Sequence, residues 1–174
     1  MGTSSRRHLH RGSADTVITE GSKMYKRILV PTDGSDTATC GLREAIKLAK
    51  DQSAQIRIIH IVDELVMGSS PAYGVVMDNI IDDLRAAGKA ILASAQAMAQ
   101  DAGITVDTLL VEAFGGRAGE HVAKAAQEWP ADIIVCGTHG RRGLRRIVLG
   151  SDAEYLVRRS PVPILLVRAT GAET

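Results

Sequence analysis

"DIIVCGTHGRRGLRRIVLGSDAEYL", Asp132 to Leu156, is the stretch whose reading decides the fold. It opens on a continuous apolar run of the kind carried by a strand covered on both faces. It closes on "SDAEYL", which reads as the start of a helix. Between them stand the glycines Gly137, Gly140, Gly143 and Gly150 and the arginines Arg141, Arg142, Arg145 and Arg146. A buried strand, a glycine loop and a helix N-terminus in that order form a unit of a parallel α/β sheet. Glycine lets backbone N–H groups curl around an anion. The free N–H groups of a helix start add to that pull. Ser151 and Glu154 match the S-x-x-E capping box, which makes Ser151 the expected N-cap. A plainer reading also stands. Gly137 and Gly140 shape a turn, Gly150 ends a helical turn, and the arginines are solvated, Arg145 and Arg146 above all.

Upstream, the same alternation repeats. "RILVPT" (27–32) reads as a first strand, "DGS" as a turn, and 36–51 as a helix with apolar residues at helical spacing. "QIRIIHIVD" (55–63) is β-branched and reads as a second strand. Residues 64–77, rich in Gly, Ser and Pro, read as a loop. A long helix is expected from about Asp78 to Asp101, with Ile80, Ile81, Leu84, Gly88, Ile91, Leu92, Ala95, Met98 and Ala99 on one stripe. "ITVDTLLVE" is the third strand. "GGRAGEHVAKAAQEW" is a turn and a helix with Val122, Ala125, Ala126 and Trp129 inward. "ADIIVCG" (131–137) is the fourth strand, 151–159 a short helix, and "VPILLVR" (162–168) the fifth strand. Strands alternating with helices, joined by right-handed crossovers, predict an open five-stranded parallel sheet with helices on both faces.

The 174 residues favour one domain. With one Trp, one Phe and three Tyr, its core must come from Ile, Leu, Val and Ala. The net charge of +1 gives no global pull toward nucleic acid. Cys40 and Cys136 stand far apart with no CxxC, so a disulfide framework or zinc site is not expected and each is read as a small buried apolar residue; the reducing cytoplasm is the expected compartment. No apolar run approaches the roughly 18 residues of a membrane span. Residues 1–23 are basic and polar and read as a disordered arm or an expression remnant, with Met24 able to open the domain. The domain is expected over 24–170, with a tail at 171–174.

In an open α/β sheet a ligand sits beyond the carboxyl ends of the strands, where the winding reverses. The first strand ends in "PTDGS" and the fourth in "CGTHG", so if these strands are neighbours their loops share one crevice. His60 lies within a strand and is expected to be packed and hydrogen-bonded; His121 is expected at the surface.

Gly137-x-x-Gly140, nine residues, then Gly150-Ser151 matches the G-x2-G-x9-G-[S/T] nucleotide signature of the universal stress protein family. "YKRILVPTDGSDTA" and "IRIIHIVD" resemble that family too, and the resemblance runs from about Met24 to Arg168. It implies a Rossmann-like sheet of order 3-2-1-4-5, a homodimer, and ATP as ligand with Mg²⁺ as its companion. Carried over, Asp33 would contact the ribose or adenine side, with Pro31 and Thr32 alongside. Ile61 would offer backbone groups to the adenine edge, and Gly137 would border the ribose. Thr138, His139, Gly140 and Arg141 would line the triphosphate loop, closed by Gly150, Ser151 and the N–H of Asp152. Asp33 has a plainer competitor role, starting the turn after the first strand; His139 has one in bracing its loop. Asp152 departs from the small or apolar residue expected there. Either its carboxylate faces solvent, or it weakens triphosphate binding or helps hold Mg²⁺.

The resemblance implies an ATP-dependent stress or regulatory protein of the cytoplasm. The rivals are a slow ATPase or phosphotransferase and an interaction module with a degenerate pocket. No GxxxxGK[ST] loop is present, "PTDGS" lacks the glycine pair of ATP pyrophosphatases, and His139 alone is placed to activate a water. The fifth strand is expected at the sheet edge, pairing with its mate in an isologous dimer.

Overall fold

A computed structural model describes residues 24–63, 74–138 and 149–169, with 74–79 as backbone alone. The element order is β1 (Arg27–Pro31), α1 (Asp36–Gln52), β2 (Gln55–Asp63), α2 (Gly74–Asp101), β3 (Val106–Ala113), α3 (Ala118–Glu128), β4 (Ile133–Gly137), α4 (Ser151–Arg159) and β5 (Ile164–Val167). All strand pairs are parallel, and the sheet order is β3-β2-β1-β4-β5. The expected topology is the observed one. The residues expected as arm and tail, 1–23 and 171–174, lie outside the described residues.

Strand residues alternate between two apolar layers, as the period of two requires. Ile28, Val30, Ile56, Ile58, Ile133 and Val135 pack against Leu42, Ala45, Ile46 and Ala49 of α1 and Leu92, Ala95 and Ala99 of α2. Leu29, Ile59, Ile134 and Cys136 point the other way, to Val122, Ala125 and Ala126 of α3 and Leu156 of α4. The sheet is therefore roofed on both faces, which is why its strands read as unbroken apolar runs. Each Ile, Leu or Val so buried contributes about 1.5–3 kcal/mol before chain entropy is charged against it. Met98 packs against the first layer and Trp129 against the second, both partly buried.

Local chemistry explains where the helices stop and start. Ser35 caps α1, its Oγ accepting from Ala38 N at 3.2 Å. Ser53 ends that helix in the left-handed region at φ 49°, donating its N–H to Ala49 O. The expected loop over 64–77 overlaps α2, which begins at Gly74. Gly and two valines lower the local helix preference there, and continuation of the long helix outweighs it. Residues 64–73 lie outside the described residues.

Across β2 and β3, Arg57 forks onto Asp107 with bonds of 2.8 and 2.7 Å. Its guanidinium also lies 4.7 Å from the Trp129 ring centroid. That one side chain ties two strands to the end of α3. Among the described residues no helix is long and apolar enough to cross a membrane.

Candidate functional site

β1 is the point where the winding reverses. β2 and then β3 lie on one side of it, and β4 and β5 lie on the other. Its register pairs Pro31 with Ile59 and Leu29 with Ile134, so β1 and β4 end nearly level, while β2 runs four residues further, to Asp63.

The turn after β1 is held from several directions. Thr32 is buried, and its N–H donates to Ile59 O at 2.9 Å. Thr32 O lies 2.7 Å from His60 Nδ1. A carbonyl only accepts, so Nδ1 carries the proton. Asp33 Oδ1 accepts the N–H of Ser35 at 3.0 Å, an Asx turn of the kind that carboxylates favour. Gly34 has φ +81° and sits against Ile91 of α2, where an added Cβ would meet Cγ1 at 3.1 Å. Asp33 thus both shapes its turn and stands at the strand end proposed for ligand contact.

The β4 side closes on itself. Thr138 N donates to Val167 O of β5, and Thr138 O accepts from Gly150 N, both at 2.9 Å. The chain that leaves the sheet at Thr138 therefore returns to the same residue. His139, Gly140 and Arg141 lie between, outside the described residues. Gly137 has a packing role of its own. A Cβ there would come 2.8 Å from both Thr37 O and Thr37 Cγ2 of α1.

Gly150, with φ −62° and ψ 150°, is the N-cap of α4, and Ser151 is the first helical residue. The capping-box expectation is corrected: the N-cap is Gly150 rather than Ser151, and among the described residues no side-chain cap bond is made to this helix. The first intrahelical bond runs from Glu154 N to Gly150 O at 2.8 Å, so the Glu154 position is spent on the backbone ladder. Glu154 places its carboxylate on Arg158 at 2.8 Å. The N–H groups of Ser151, Asp152 and Ala153 have no intrahelical acceptor, as at any helix start.

Asp152 is exposed, yet it is bonded. Its Oδ1 accepts from Gly119 N, at the start of α3, at 3.1 Å. The carboxylate is drawn sideways across to α3, a partner the sequence reading did not contain. Nearby, the N–H of Gly115 donates to Asp63 Oδ1 at 3.2 Å, and His121 Nε2 lies 3.1 Å from Gly115 O. His121 is thus half-buried and bonded rather than a free surface residue. Ile61 of β2 pairs with Val111 of β3 and packs with the α3 and α4 layer.

Cys136, at 4% exposure, is a core residue, and burial pushes its thiol up from 9.0 to about 11. Cys40 is only half-buried, less covered than expected.

Residues 24–168 match the sequence profile of the universal stress protein family. The chain belongs to the universal stress protein family. A universal stress protein of Methanocaldococcus jannaschii, MJ0531, is 34% identical over 159 residues, covering 91% of each chain. Among solved structures, protein MJ0577 superposes with a TM-score of 0.74 at 27% identity, over 86% of this chain and 99% of that one. A universal stress protein in complex with cAMP superposes with a TM-score of 0.60 at 26% identity, over 83% of this chain and 98% of that one. For this universal stress protein, as for any member, the fold locates a crevice without naming its occupant.

Proposed function

We propose that this universal stress protein binds ATP at the carboxyl ends of β1 and β4 and acts as a nucleotide-dependent stress-response module of the cytoplasm. The observation that carries the reading is the closure of the Thr138–Gly150 segment beside a helix start whose cap is a bare glycine. A helix N-terminus without a side-chain cap leaves its N–H groups to an anion. The Asp152 carboxylate, drawn to Gly119, is kept off that axis. The neighbour solved with cAMP lends weight to an adenine nucleotide as the ligand class. In this reading Pro31, Thr32, Asp33 and Ile61 serve the adenosine half. Gly137 borders the ribose, and Thr138, His139, Gly140, Arg141, Gly150, Ser151 and the Asp152 N–H serve the phosphates, with Mg²⁺ arriving on ATP.

The test is calorimetric titration of the purified, nucleotide-stripped protein with ATP, ADP, AMP and cAMP, with and without Mg²⁺. Mass analysis of what the protein carries after denaturation accompanies it. ATP is expected to bind most tightly. Gly150→Pro suits the observed φ but deletes the N–H that closes the segment, so it should weaken ATP roughly tenfold or more while the fold persists. Wild-type protein that binds no adenine nucleotide, or Gly150→Pro that binds as wild type, overturns the reading.

The protein is also proposed to work as a homodimer through β5. That strand is an edge, and Ile164, Leu165, Leu166 and Val167 are all apolar and none is fully buried. Leu165 is 36% exposed, and Val157 on α4 is 55% exposed. Apolar edges of this kind are normally covered or paired.

A further inference from the structure

We infer that His60 is a positioning residue for the candidate site: its imidazole sets the Asp33 turn through one buried hydrogen bond. The inference rests on the nucleotide reading above and deepens it. His60 is 9% exposed in β2, and its Nδ1 lies 2.7 Å from Thr32 O. Thr32 is followed directly by Asp33 and Gly34. The bond therefore fixes the peptide plane from which the Asp33 side chain departs. Among the described residues no other hydrogen bond to that carbonyl is seen, whereas the Thr32 N–H is already held by Ile59 O.

α2 is shaped to hold the ring in place. An added Cβ on Gly88 would meet His60 Cδ2 at 2.8 Å, Leu110 Cδ1 at 2.9 Å and Val62 Cγ2 at 3.2 Å. Only glycine lets the helix lie directly on the imidazole. One helical turn further on, Ile91 lies against Gly34, the positive-φ residue of the same turn. One helix thus braces both ends of a short lever: the histidine that grips Thr32 O and the glycine beyond Asp33.

Two substitutions separate positioning from packing. His60→Asn keeps an N–H donor as many bonds from Cβ as Nδ1 and sacrifices volume. His60→Leu keeps volume and loses the donor. Positioning predicts that His60→Asn binds ATP within about threefold of wild type and that His60→Leu binds roughly tenfold more weakly. Packing alone predicts the reverse ranking, and that result, or equal loss in both, overturns the inference.

Amide hydrogen exchange in ligand-free protein reads the lever without nucleotide. Exchange at Gly34 and Ser35 should quicken in His60→Leu and not in His60→Asn, with Ile56 and Ile58 unchanged in both. If wild type binds no ATP, the nucleotide reading fails, and these amides still decide the role of His60. If His60→Leu does not fold, nitrogen chemical shifts of the wild-type ring decide. A proton on Nδ1 together with near-wild-type exchange at Gly34 and Ser35 in His60→Asn supports the lever. A proton on Nε2 alone, or quickened exchange in His60→Asn, ends it.

Discussion

Cys136 illustrates how a residue can report on its surroundings. It sits in the layer beneath α3 and α4, where among the described residues a thiolate would be packed against apolar side chains and shut off from water. Burial therefore raises its thiol from 9.0 to about 11. The unfolded thiol ionises near the lower value while the folded one stays protonated. Stability from this group is complete below the unfolded value and drains away as pH climbs through the folded one. The expected loss by pH 11 is at most about 3 kcal/mol. Urea denaturation at steps from pH 8 to 11 should show it, and Cys136→Ala should flatten the difference. Parallel curves for both proteins would show that the thiol is not the cause. At this scale the sequence is only partly legible. Its burial follows from an apolar run, but the Asp152–Gly119 and His60–Thr32 bonds join residues 33 and 28 positions apart, and no local pattern announces them. Ser151-x-x-Glu154 does announce a cap. The match is accidental because the carbonyl of Gly150 opens the helix one residue earlier.

Elements meet where small residues allow it. α1 presses on the end of β4 through Gly41, whose added Cβ would meet Gly137 N at 3.2 Å, and through Thr37 against Gly137. Gly137→Ala is expected to cost about 2 kcal/mol, because the new methyl meets a backbone oxygen that cannot yield as a side chain would. Urea midpoints measure this, and Thr37→Ser should restore only part of it, since Thr37 O remains in the way. An unchanged midpoint would mean that α1 shifts freely. Gly137 belongs to the signature motif in sequence, yet the contact that most constrains it here is with a helix in another part of the chain. The strands and helices themselves were readable, since unbroken apolar runs ended by Gly, Pro or Asp leave few alternatives. Their ends were less so. β5 spans Ile164–Val167 instead of 162–168, and β3 begins at Val106. Pro163 lacks an N–H for the ladder, which marks where β5 pairing starts.

For the whole molecule, the unfinished surface is the β5 edge. A homodimer through it predicts a sedimentation mass of two chains that falls toward one on dilution. Leu165→Lys should shift that equilibrium to monomer by tenfold or more, since a buried ammonium opposing its own copy is both desolvated and repelled. A two-chain mass unaffected by Leu165→Lys would move the interface elsewhere. The central position of β1 has a different consequence, for a chain still being made. Of the described strands β1 is made first, and its second neighbour, β4, follows only after about a hundred further residues, a separation spanned by the 2.8 Å bond between Lys26 N and Asp132 Oδ2. Until then the nascent half-sheet β1-β2-β3 carries its most apolar strand as a naked border. Translation stalled after Ala113 would leave a sticky fragment, and prompt synthesis of the second half is what shelters it.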